Sequence, residues 1–90
     1  MNESTKTRER NLEKFYFTFG TSEAFPLQSC YIIIEAHSLR EAIAEFRTHY
    51  PDRTSGVVNC AFFYSEAEWA RVDQKVKNFY GDPAVIYSAA

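Results

Sequence analysis

The chain has 90 residues, enough for a single hydrophobic core and too few for a second. A net charge of −2 and a pI near 5.6 argue against a protein held directly on nucleic acid by bulk electrostatics, because neutralising phosphates needs a basic face. No apolar run approaches the roughly eighteen residues of a membrane span, and the start of the chain is charged rather than leader-like, so no membrane association and a cytoplasmic location are expected.

Residues 1–12 carry interleaved charges, Lys6, Arg8 and Arg10 against Glu3 and Glu9, with too few apolar groups to offset the entropy of ordering. They are expected to form a flexible N-terminal arm ahead of one α+β domain over residues 13–90. Glu13 to Phe19 is strongly β-forming and ends at Gly20. Alternation along it puts Phe15, Phe17 and Phe19 on one face and Tyr16 and Thr18 on the other. The connection from Thr21 to Ser29 is long for a hairpin, and its Phe25-Pro26-Leu27 segment is expected to fold back over the open end of the core.

Cys30 to Ala36 reads as a second strand, whose Ile32-Ile33-Ile34 places apolar groups on both faces, the pattern of a strand covered on both sides. Ser38 with Glu41 three residues on is a reciprocal helix-start pair. In the helix that follows, Leu39, Ala42, Ile43, Phe46 and Tyr50 form one apolar stripe, and Pro51 stops it. Gly56 to Tyr64 is apolar and aromatic and is expected to be a central third strand. Ser65 with Glu68 repeats the start signal and opens a second helix from about Glu66 to Tyr80, with Trp69, Val72, Val76, Phe79 and Tyr80 on one side. Gly81-Asp82-Pro83 breaks it, and Ala84 to Ser88 supplies a short final strand suited to a sheet edge.

The order is therefore β-β-α-β-α-β. Strands one and two pair as a hairpin, and a right-handed crossover brings strand three beside strand one, antiparallel to it. The expected architecture is a two-layer α+β sandwich, a mixed four-stranded sheet of order 2-1-3-4 with both helices on one face. That arrangement leaves the other face open. Its residues are Tyr16, Tyr31 and Ile33, with Phe63 as a further apolar anchor and Glu35 and Asn59 to orient a partner. A contiguous aromatic surface of this kind either marks an interface or is covered by the amino-terminal arm or the final strand, and the expected function is a non-enzymatic interaction module that docks a protein partner or a second copy of itself. The alternative is a small-ligand protein that binds or sequesters a nucleotide signal at the loop end, with Arg53, His49 and Asp52 for the charge and Tyr50 to stack a base. Glu23 and Asp82 are expected at the same end.

Chemistry is not signalled. The sequence has no glycine-rich phosphate loop, no paired metal-binding histidines and no nucleophile-elbow serine or cysteine. Cys30 and Cys60 both fall in expected strands, outside any CxxC or Cys/His cluster, so no disulfide, metal or cofactor is expected. Cys60 with His49 is the one nucleophile–base pairing to consider, and a mid-strand thiol is inert. No catalytic residues are assigned.

Three segments carry a resemblance. Lys14-Phe15-Tyr16-Phe17-Thr18-Phe19-Gly20, then Ile34-Glu35-Ala36, and later Asn59-Cys60-Ala61-Phe62-Phe63-Tyr64-Ser65-Glu66 with Trp69 look like a group of small uncharacterised proteins encoded in phages, prophages and other mobile elements of Gram-positive bacteria. The likeness spans about residues 14–70. It implies a mobile-element accessory protein, a setting in which proteins of this size often inhibit host defence systems. It carries over no catalytic residues. The weak charge departs from the strongly acidic, DNA-mimicking kind of inhibitor.

Overall fold

A computed structural model of the protein describes residues 12–89. All of the expected arm except Leu12 lies outside the described residues. The fold is α+β, with a mixed four-stranded sheet and helices. Strand β1 (Glu13–Thr18) pairs antiparallel with β2 (Tyr31–Ala36), Phe17 opposite Ile32 and Phe15 opposite Ile34. Phe15, Phe17, Phe19, Ile32, Ile34 and Ala36 are buried and form the core with Ala42 and Phe46.

Helix α1 (Leu39–His49) lies against that face. Ser38 accepts the Glu41 N–H at 3.1 Å, while the Glu41 carboxylate reaches back to the His37 N–H at 2.8 Å, so two exposed amide donors at the helix start are satisfied. The Phe46 ring stacks on Phe17 at 4.6 Å, and Phe19 meets the edge of Tyr50 at 5.6 Å. Leu39 is the one member of the predicted stripe that stays exposed. Phe25 and Leu27 pack against the core, as the apolar connection requires. Gln28 ties that loop by donating to the carbonyls of Ser22 and Phe25.

The third strand differs most from expectation. Only Phe62–Tyr64 forms β3, antiparallel to β1, and it lies at the edge of the sheet. The residues before it satisfy their backbone locally instead of in a ladder: the Val57 N–H bonds the Thr54 carbonyl at 2.9 Å and the Cys60 N–H bonds the Val58 carbonyl at 2.9 Å. Gly56 sits at φ 81°, a conformation open to glycine, and its N–H is held at 3.2 Å by Asp52. Local turn chemistry thus overrides the β-propensity of Val57 and Val58.

The sheet order is β3-β1-β2-β4, so the two hairpin strands, not β3, occupy its centre. Strand β4 (Ile86–Ser88) is an edge strand, as expected, but runs parallel to β2 rather than beside β3. The Ala84 N–H bonds the Tyr31 carbonyl at 2.8 Å and the Ile33 N–H bonds the Val85 carbonyl at 3.1 Å, locking the returning chain onto the far side of β2.

The second helix is two. Helix α2 (Glu66–Ala70) opens on a full capping box, Ser65 accepting the Glu68 N–H at 3.2 Å and Glu68 accepting the Ser65 N–H at 2.8 Å. Helix α3 (Gln74–Tyr80) starts afresh at Asp73, whose carboxylate accepts the Lys75 N–H at 2.8 Å. A capping aspartate competes with helix continuation at that point. These helices do not join α1. Trp69 stacks on Tyr16 at 4.6 Å and 5°, and Tyr80 meets Tyr31 edge-on at 5.9 Å. Tyr16 and Tyr31 project opposite to Phe17 and Ile32, so the sheet is covered by α1 on one face and by α2 and α3 on the other. The expectation of both helices on one face is corrected accordingly.

Candidate functional site

The expected docking surface was the face away from α1, and the structure gives it a roof. Strand alternation aims Tyr16, Thr18, Tyr31 and Ile33 there, together with Tyr64 and Phe62 from β3, because Tyr16 pairs with Tyr64 and Thr18 with Phe62. The capping box at Ser65 turns the chain sharply at the end of β3 and sends α2 back over β1, so that Trp69 contacts Tyr16, Tyr31 and Tyr64 at 4.6, 4.9 and 5.6 Å. Tyr31 and Ile33 are each 7% exposed. Tyr16 is half-buried beneath the indole.

Burial raises the Tyr16 hydroxyl's pKa, with Glu66 and Tyr31 adding to it. Burial and Asp82 do the same for Tyr31, and burial, Tyr80 and Glu68 for Tyr64. The cluster is thus a set of neutral phenols bordered by carboxylates, apolar in its middle and hostile to anions at its rim.

The remaining predicted contact residues separate. Glu35 is half-buried and paired with Ser88 of β4. Asn59 turns inward on its own loop and donates to the Pro51 carbonyl at 3.2 Å. Phe63 lies on the α1 side, its ring 5.9 Å from Phe17, and remains 38% exposed. Beside it Phe62, on the roofed side but beyond the reach of α2, is 65% exposed. Phe62 was missed in the sequence because strand three was expected to be central; at an edge its ring has a neighbour on one side, Tyr64 at 6.5 Å.

The backbone of β3 is equally one-sided. The Lys14 N–H points toward the β3 side, where the Glu66 carboxylate accepts it at 3.2 Å, and the Phe19 N–H points the other way, to the Cys30 carbonyl at 3.1 Å. Even-numbered residues of β1 therefore serve β3. Tyr64 and Phe62 lie opposite Tyr16 and Thr18 and so turn their amide groups inward, and the Ala61 N–H, one residue earlier, also reaches the Thr18 carbonyl at 2.8 Å. Ladder alternation leaves the Phe63 N–H and C=O directed away from the sheet.

The loop end does not gather the alternative site as expected. His49 Nε2 donates to Glu45 at 2.7 Å and its ring stacks on Tyr87 at 3.8 Å. The Tyr50 hydroxyl lies 3.2 Å from that of Tyr87. Burial first, then that hydroxyl contact, pushes the Tyr50 pKa far up. Asp52 is shared between Arg47 at 3.0 Å and the Gly56 N–H at 3.2 Å. Asp82 acts on Tyr31. Arg53 alone faces an open cavity of about 300 Å³, lined also by Phe25, Thr54, Val57 and Asn59, and its guanidinium donates to the Ala24 carbonyl at 2.6 Å.

Burial holds the Cys60 thiol protonated, its pKa pushed up to about 12, while His49 is engaged by Glu45 and Tyr87. Among the described residues no group of three His, Cys, Asp or Glu side chains is placed to hold a metal ion, and no helix is long and apolar enough to cross a membrane. Comparison with known proteins finds no matching family model, no similar curated protein and no similar solved structure.

Proposed function

We propose that this chain is a non-enzymatic, cytoplasmic protein-interaction module whose docking surface is the outer edge of β3 rather than the sheet face. One observation carries this reading. An edge strand is normally guarded by charge, proline or a covering element, yet β3 is Phe62-Phe63-Tyr64, uncharged, with Phe62 65% exposed and Phe63 38% exposed. Rigid aromatic side chains bury much area at little entropic cost, and an open strand edge adds backbone hydrogen bonds. The mobile-element likeness supplies the setting in which such a module would act on a host protein, with inhibition of a defence system as the biological outcome.

The experiment is a paired recovery from host lysate. Proteins retained by the wild type and by Arg53→Ala, but lost with Phe62→Lys, support the edge; retention unchanged by Phe62→Lys would refute it. A second reading, sequestration of a nucleotide, is favoured by one feature, the Arg53 cavity of about 300 Å³, which lies at the small end of ligand sites. A rise in melting temperature with a nucleotide, removed by Arg53→Ala, would support it. The expected result is no shift.

A further inference from the structure

The geometry points to a specific occupant of the open edge: β3 of a second copy, running antiparallel about a two-fold axis at Phe63. This rests on the edge being the docking surface and goes beyond it by fixing the partner and the register.

The backbone phase selects that register. In an antiparallel pair, residues directly opposite one another exchange two hydrogen bonds only when both direct their N–H and C=O into the gap. Within β3 the outward-directed residue is Phe63, because Phe62 and Tyr64 are committed to Thr18 and Tyr16. Two copies related by a two-fold axis can therefore place Phe63 opposite the partner's Phe63, each N–H donating to the other's carbonyl. An isologous contact of this sort is self-complementary and closes at two copies.

The side chains agree with the backbone. With Phe63 on the axis, Phe62 falls opposite the partner's Tyr64, and Tyr64 opposite the partner's Phe62, on the same face. These are non-hydrogen-bonded positions, where side chains approach most closely and aromatic pairs are favourable. Phe62, whose one ring neighbour among the described residues is Tyr64, gains a second. Ala61 falls opposite the partner's Ser65, so no like charges meet in the register. Among the described residues the way is also clear of bulk: α2 turns inward from Ser65, and Trp69 sits over Tyr16 and Tyr31 rather than beyond β3. The product is a continuous eight-stranded sheet, with the α1 helices on one face and the α2 and α3 helices on the other. A three-residue strand makes a small interface, so the dimer is concentration-dependent.

Sedimentation equilibrium over a wide concentration range, combined with amide hydrogen exchange read at Phe63, tests this. The expected result is a monomer–dimer equilibrium in which the Phe63 amide exchanges freely when dilute and becomes protected in step with the dimer fraction. Phe62→Lys should shift association at least tenfold toward monomer without altering the circular dichroism spectrum. A mass that stays monomeric with Phe63 exchanging freely throughout would overturn self-pairing and leave the open edge intact. A Phe63 amide protected in the dilute monomer would overturn the open edge itself. Dimerisation unaffected by Phe62→Lys would place the contact elsewhere and also reject the proposal.

Discussion

Replacing Trp69, the single tryptophan, by alanine probes the layer that closes the second face of the sheet. The indole stacks on Tyr16 and touches Tyr31 and Tyr64, and it is partly exposed, so the apolar area returned to water is about 150 Å², the low end for a buried aromatic. At about 25 cal/mol per Å² this is worth roughly 4 kcal/mol. Collapse of neighbouring rings into the gap recovers part of it, leaving a destabilisation of about 3 kcal/mol, a large share of the total stability of a domain this size. The melting temperature should fall by about 12–24 °C, taking about 4–8 °C per kcal/mol. Thermal unfolding followed by far-ultraviolet circular dichroism is the assay, since the variant has no tryptophan to fluoresce. Trp69→Phe, which keeps an aromatic ring, should lose much less. A change in Trp69→Ala below about 0.5 kcal/mol, the size typical of free surface positions, would refute the roof over Tyr16 and Tyr31.

Phe17→Ala removes a fully buried ring stacked on Phe46 and should cost about 3–5 kcal/mol in chemical denaturation, marginal for folding at 37 °C. Ser65→Ala deletes one half of the capping box that turns β3 into α2 and should cost about 1 kcal/mol, with Ser65→Gly closer to wild type. Stability should fall as pH rises from about 9 toward 12: burial raises the Cys60 pKa from its ordinary 9.0 to about 12, and Tyr16, Tyr31 and Tyr64 shift the same way from 10.0. The unfolded chain therefore releases protons that the folded chain retains, and ΔG of unfolding declines across that window; a denaturation midpoint unchanged from pH 8 to 11 would contradict the burial. For the same reason the native Cys60 thiol should resist alkylation at pH 8 and react once unfolded.

The elements set by local chemistry were legible. Phe15, Phe17 and Phe19 at every second position, the isoleucine run of β2, and Ser38 and Ser65 each followed by a glutamate at the third position dictate two strands and two helix starts whatever the rest of the chain does. Pairing between distant segments was less legible. Nothing in Ala84–Ser88 distinguishes β2 from β3 as its neighbour, because the choice rests on backbone bonds such as Ala84 to Tyr31 that any sequence can make. The run Val57-Val58 has strand propensity, and the turn held by Asp52 and Gly56 overrides it. Asp73 within an apolar stripe was a visible cap in retrospect, and it splits the second helix.

The candidate site followed the same division. Periodicity says only that Trp69 and Tyr80 share a helix side, not which face of the sheet they meet. With Trp69 and Tyr80 over Tyr31, the exposed aromatic residues of the sheet lie at its edge, at Phe62 and Phe63. Phe63 was expected on the open face with Tyr16 and Tyr31, whereas its ring lies on the α1 side near Phe17, and Phe62 became visible only with the edge position of β3.

The most direct measurement is an isotope-filtered nuclear Overhauser experiment on a mixture of labelled and unlabelled protein at a concentration high enough to populate the dimer. Pairing through β3 predicts cross-peaks between the Phe62 ring of one copy and the Tyr64 ring of the other. Intermolecular cross-peaks to Tyr31 or Ile33 instead, or none at all, would contradict it.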